Sequence, residues 1–239
     1  MNEKIKVKVG IMALMCLAMA PLAIAPSLAN IAQSFPDSSA SMIQMLLSVP
    51  SLMSLISALI IGKISVSLPK KALCLIGLVV ILIGGLTPFF IHSNLYILLA
   101  CAGIVGAGAG IVTTLVPSLI SENFHGHERG AVFGLMAAFV SIGAVILTLF
   151  GGKLAVKGWE HNYLIYLITV PILLIALYTL PKTSVSEAAD NHFNNVSKQF
   201  ILNSKVFVLG TFAFMFLMIY NTFPNNIALY LASNKIGDP

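Results

Sequence analysis

Of the 239 residues, 58% are hydrophobic and only 9% charged, and the formal net charge is +5. A soluble domain carries about 25% charged residues, so this chain cannot cover a water-facing surface and its apolar excess must face lipid. The basic residues do not gather into a patch with interleaved aromatics, which leaves no footprint for nucleic acid.

A helix crossing about 30 Å of hydrocarbon needs roughly 20 apolar residues. Seven stretches meet that length: Val9–Ile31, Met42–Ile61, Ala72–Ile91, Leu95–Ile120, Ala131–Phe150, Tyr163–Leu180 and Val206–Leu231. Each is continuously apolar where a membrane barrel strand would alternate at period two. The expected fold class is therefore an all-α integral membrane protein.

The first stretch follows Lys4, Lys6 and Lys8, and Ala23-Ile24-Ala25 looks like a signal-peptidase site. Pro26 would hinder that cleavage and the run is long enough to span, so it is read as an uncleaved first span. Met12, Met15 and Met19 run along it and are read as packed against lipid; Asn30 lies near its end. The second stretch carries Gln44, Ser48, Ser51, Ala58 and Gly62 along one side. The fourth has Gly106 and Gly110 amid Gly103 and Gly108, and the fifth has Gly130, Gly134, Ala138, Ser141 and Gly152. Small faces let helix backbones approach closely in lipid, either as fixed packing or as an interface that rearranges.

Connections are short except for 181–205, which is rich in Asn, Ser and charge. The expected organisation is a six-helix bundle over 1–180, a central loop over 181–205, a seventh helix over 206–231 that begins an incomplete second bundle, and a tail over 232–239. Basic residues concentrate in cytoplasmic loops of membrane proteins. With the N-terminus inside, ten of the 13 basic residues are cytoplasmic, and only Lys153, Lys157 and Lys235 are outside. This predicts a multi-pass protein of the cell membrane with a cytoplasmic N-terminus and an external C-terminus.

Cys16, Cys74 and Cys101 lie in apolar runs without paired spacing, and read as small hydrophobes. His92, His125, His127, His161 and His192 fall in loops or at span ends and read as solvated. No metal site and no cofactor are expected. No nucleophile elbow, phosphate loop or metallopeptidase helix occurs, so the chain does not read as an enzyme. Asn195-Val196-Ser197 has the pattern of a glycosylation sequon, but lies on the cytoplasmic side in this topology.

Several short runs resemble motifs of the major facilitator superfamily, over nearly the whole chain. Between the second and third stretches the family has Gly-x-Leu-Ala-Asp-Arg-x-Gly-Arg-Lys. The run from Gly62 to Lys71 keeps the leading Gly62 and the closing Lys70 and Lys71, with Val66 in the Asp place and Pro69 in that of the second Gly. In the fourth stretch Gly106 and Gly108 match Arg-x-x-Gln-Gly-x-Gly, with Ala102 in the Arg place. Glu122 followed by Glu128-Arg129-Gly130 is similar to the family's loop between spans 4 and 5. Gly143, Gly151 and Gly152 match the antiporter pattern of span 5, with Leu147 and Thr148 in place of Gly-Pro. Gly158-Trp159 resembles the family's Gly-Trp-Arg, with Glu160 last.

The resemblance implies two helical bundles around a central cavity lined in part by spans 1, 4 and 7. It implies a secondary transporter of a small organic solute working by alternating access, of efflux type for a drug or metabolite. Candidates for the transport path are then Asn30, Thr113, Thr114, Asn221, Asn225 and Asn226, with Pro224 able to kink span 7; interhelical hydrogen bonding is the plainer role for the same groups. Candidates for the conformational-switch loops are Gly62, Lys70, Lys71, Glu122 and Arg129. No span interior holds Asp, Glu, Lys, Arg or His, so proton or ion coupling needs a residue outside this chain, or the protein is a facilitator. The expected partners are the lipid bilayer, the solute, and a missing C-terminal bundle or second copy. A non-transporting remnant or membrane assembly partner is the alternative.

Overall fold

The computed structural model describes residues 3–65 and 67–181, together with 208, 210–212, 214–216, 218 and 219. The chain divides into a first unit, Met1–Val185, and a second, Ser186–Pro239. The described residues of the second unit are helical and fall inside the predicted seventh stretch.

Among the described residues the first unit has helices and connecting turns and no strand. Its elements are α1 (Glu3–Met15), a 3-10 segment Ala20–Ser27, α2 (Leu28–Ser34), α3 (Ala40–Ile64), α4 (Lys70–Phe90), α5 (Leu95–Asn123), α6 (Gly126–Ala155), a 3-10 segment Trp159–Ile168, and α7 (Thr169–Thr179). Among the described residues six helical stretches are long and apolar enough to cross a bilayer: Glu3–Ser34, α3, α4, α5, α6 and Trp159–Thr179. They are spans 1 to 6 below. Helices are the expected answer in hydrocarbon, where every backbone group must be paired within its own segment.

Several helices outrun the apolar stretches that announce them. α1 begins at Glu3, α5 ends at Asn123 and α6 begins at Gly126. Hydropathy marks only the part in hydrocarbon, whereas the backbone ladder continues until something stops it. Side chains start two of the helices: Ser39 accepts from the Met42 amide at 3.3 Å and Asn94 from the Tyr96 amide at 3.0 Å. Each supplies one donor of the first turn with an acceptor. Gly126, at φ +57°, makes the tight entry into α6.

Spans 2, 3 and 4 pack with α5 between α3 and α4. Spans 5 and 6 pack on span 1, whose α1 also reaches α7 and α5. Residues along the apolar stretch are 56% buried in spans 1 and 4, against 17% in α3 and α6. Spans 1 and 4 are therefore the centre of the bundle and α3 and α6 its outer members. Ile11, Leu14 and Leu17 are fully buried, which makes the first span an integral part of the core. Met12 and Met15 are buried with them and do not face lipid as the sequence suggested, because spans 4, 5 and 6 cover α1.

The glycines of α5 explain how the central helices come so close. A side-chain carbon at Gly106 would overlap the backbone of Pro50 in α3, and one at Gly108 would meet Gly77 and Ile81 of α4. The Ser57 hydroxyl lies 3.0 Å from the carbonyls of both Ser54 and Ala107, and so links α3 to α5. These glycines are fixed packing surfaces.

Candidate functional site

The small residues on spans 2 and 5 behave differently. Gln44, Ser48, Ser51 and Gly62 of α3 are exposed, as are Gly130, Gly134, Ala138 and Ser141 of α6. Nothing lies within 4 Å of a side-chain carbon built at Gly62, Gly130 or Gly134. The first unit thus presents two faces rich in small residues that its own helices leave uncovered, each also exposing a larger side chain, Leu55 on α3 and Val145 on α6.

Asn30 is exposed on α2, at the end of span 1 away from the N-terminus. Thr113 is exposed on α5 and Thr114 is half-buried. The Thr113 hydroxyl is 2.9 Å from the Ala109 carbonyl, and that of Thr114 donates to the Gly110 carbonyl at 2.7 Å. Both protons serve the threonines' own helix, the usual use of a threonine inside a helix, in place of the interhelical bonds expected from sequence. Their oxygen lone pairs remain for a ligand. Asn30 and the threonines lie in separate elements, and no hydrogen bond joins them among the described residues. Asn221, Pro224, Asn225 and Asn226 lie outside the described residues. A cavity lined by Pro21, Pro50, Tyr163 and Tyr166 inside the bundle offers about 10 Å³. That volume suits one water rather than an organic solute.

The contacts at the N-terminal end are specific. Lys70 Nζ pairs with the Glu122 carboxylate and lies 2.6 Å from Ser118 Oγ, tying α4 to α5. Lys71 does not share that pair. Its Nζ donates to the Leu180 carbonyl at 2.8 Å, supplying a cation to the C-terminal end of α7, where unpaired carbonyls favour one. The Arg129 guanidinium lies 5.8 Å from the centre of the Phe133 ring. Val66 lies outside the described residues. One pairing here is not legible in the sequence: Glu128 takes both Lys8, at 2.8 Å, and Lys4, at 3.3 Å. The lysines' spacing of four puts them on one helix face, but the sequence does not name their partner.

At the far end, Trp159 gathers three connections. Its ring lies 6.0 Å from Phe35, 5.6 Å from His92 and 6.4 Å from Tyr163. Gly158, at φ +143°, makes the turn that presents it. His92 and His161 are half-buried against aromatic rings, not solvated as read from sequence, because this knot folds their loops inward. Among the described residues no group of His, Cys, Asp and Glu is placed to hold a metal.

The glycines that match the antiporter pattern all face span 1. A side-chain carbon at Gly143 would overlap the backbone of Cys16, one at Gly151 would meet Asn162 and Ala23, and one at Gly152 would touch Pro26. The sequence profile of the Major Facilitator Superfamily matches residues 9–237. The chain belongs to the Major Facilitator Superfamily. Among curated relatives, this superfamily member is 31% identical over 128 residues to an uncharacterised MFS-type transporter of Mycobacterium tuberculosis, covering 52% of this chain and 21% of that protein. It is 31% identical over 121 residues to the MFS-type efflux pump MMF1 of Pseudozyma antarctica, covering 51% and 22%. The chain thus spans about a fifth of the length of these relatives. The fold is similar to that of the peptide transporter POT crystallised with alafosfalin, with a TM-score of 0.63, 14% identity, and coverage of 91% of this chain and 50% of that one.

Proposed function

We propose that this superfamily member is the first bundle and seventh span of a secondary transporter that moves a small organic solute by alternating access, in the efflux direction, for a drug or metabolite. The observation that carries the reading is the pair of uncovered small-residue faces on α3 and α6, beside a central helix that presents Thr113. Faces made largely of small side chains, with Leu55 on α3 and Val145 on α6 the exposed exceptions, let a second bundle approach closely and slide, whereas interlocked large side chains would hold one position. Similarity to an efflux pump supports the direction. The rest of the transporter is a second bundle, supplied by a longer chain or by a second copy. Asn30, Thr113 and Thr114, with Asn221, Asn225 and Asn226, line the path; Lys70 with Glu122 steadies the cytoplasmic end.

Flux measured in liposomes tests this. A version carrying a complete second bundle should transport, and saturable flux from the 239-residue chain alone would mean that two copies complete the cavity between them. Thr113→Val and Asn30→Ala in that version should change KM for the solute. Absence of any saturable flux from the completed version across a panel of drugs and metabolites would rule the reading out and favour a non-transporting assembly partner.

A further inference from the structure

The middle of span 1 and the start of span 6 are both wound as 3-10 helix, and they pack on one another. A 3-10 turn pairs each carbonyl with the amide three residues on. The carbonyl of Ala23 would then take its proton from residue 26, which is a proline and has none. In hydrocarbon such a carbonyl must find a donor elsewhere. It finds Asn162: one amide proton of Nδ2 goes to Ala23 O at 3.0 Å and the other to Ser27 Oγ at 2.5 Å. Asn162 is fully buried, as is Ser27. One helical turn further along, Tyr166 donates its hydroxyl to the Ala20 carbonyl at 2.9 Å. Gly151 of α6 closes over the joint, where any side chain would collide with Asn162 Oδ1.

We propose that Asn162 is a positioning residue that holds the proline break of span 1 and so sets the stretch beyond it, α2 at Leu28–Ser34, which carries Asn30. The significance for transport rests on the reading of Asn30 as part of the path. The joint itself does not, and it can be tested without any solute. The argument has a specific consequence: Asn162 matters because residue 26 lacks an N–H, so giving residue 26 an N–H should make Asn162 partly dispensable.

The test uses the full 239-residue chain in lipid nanodiscs, with Cys16→Ser and Ile31→Cys. Ile31 is fully buried on α2, and Cys74 and Cys101, buried in spans 3 and 4, serve as internal controls. The rate of reaction with a water-soluble maleimide reads local opening. Asn162→Ala should speed reaction at position 31 about tenfold, as loss of a buried hydrogen bond does to a local opening equilibrium. Cys74 and Cys101 should stay protected, and adding Pro26→Ala should return the rate to within about twofold of the parent. An unchanged rate in Asn162→Ala, acceleration that Pro26→Ala does not reverse, or parallel exposure of Cys74 and Cys101 would each overturn the proposal. Should Asn162→Ala fail to insert, recovery of a parent-like protein by Pro26→Ala supports the proposal, and failure of the pair overturns it. A reversal in labelling together with absent flux in a completed transporter would sink the transport reading and leave the joint standing.

Discussion

Gly143 of α6 lies directly on the backbone of Cys16, so close that a methyl group there would overlap main-chain atoms of span 1. Gly134, nine residues earlier on the same helix, has nothing within 4 Å. Gly143→Ala should therefore destabilise the bundle by about 1–3 kcal/mol, the cost of forcing extra volume into a closed contact. Gly134→Ala should stay within about 0.5 kcal/mol of the parent. Unfolding titrations in mixed micelles check the pair, and equal losses would contradict the division into closed and open faces.

The Lys70–Glu122 pair is partly exposed, with Lys70 at 15% and Glu122 at 41%. Lys70→Ala should cost no more than about 1 kcal/mol, the range for solvent-screened pairs. The swap Lys70→Glu with Glu122→Lys should recover most of that loss, whereas either reversal alone should be worse than alanine. A swap as damaging as its single parts would mean that Ser118 and packing, not charge, hold this end.

Glu128 binds the N-terminal helix through Lys4 and Lys8. Glu128→Gln should release it, seen as trypsin cutting faster after Lys4 and Lys8 in membranes opened to the protease on that side. Raising salt to about 1 M should do the same to the parent protein, since screening then acts within about 3 Å. Cleavage indifferent to both changes would show that the pairs do not secure the segment.

Basic residues concentrate at the end of the bundle that holds the N-terminus. In intact cells, an impermeant thiol reagent should leave Asn2→Cys unlabelled and label Asp238→Cys. The opposite pattern would invert the topology, and with it the assignment of Lys70 and Glu122 to the cytoplasmic side.

Much of this protein was legible as a linear pattern. Composition sets the solvent, and stretches of about 20 apolar residues mark spans, because transfer into hydrocarbon acts on each segment by itself. The match of Gly143, Gly151 and Gly152 to a family pattern was likewise readable. What those glycines touch was not. Gly106 is closed and Gly134 open, although both sit in small-residue runs of similar spacing, since closure depends on which helix comes to lie opposite. Asn162 stands one position before the apolar stretch Tyr163–Leu180, where hydropathy gives it no weight; its role appears only when span 6 meets the carbonyl that Pro26 leaves bare. The same holds for Glu128 with Lys4, 124 residues apart. Hydropathy and motif are sums over neighbours in the chain, whereas hydrogen bonds and close packing act over a few ångströms in space, and only the folded bundle brings those partners together.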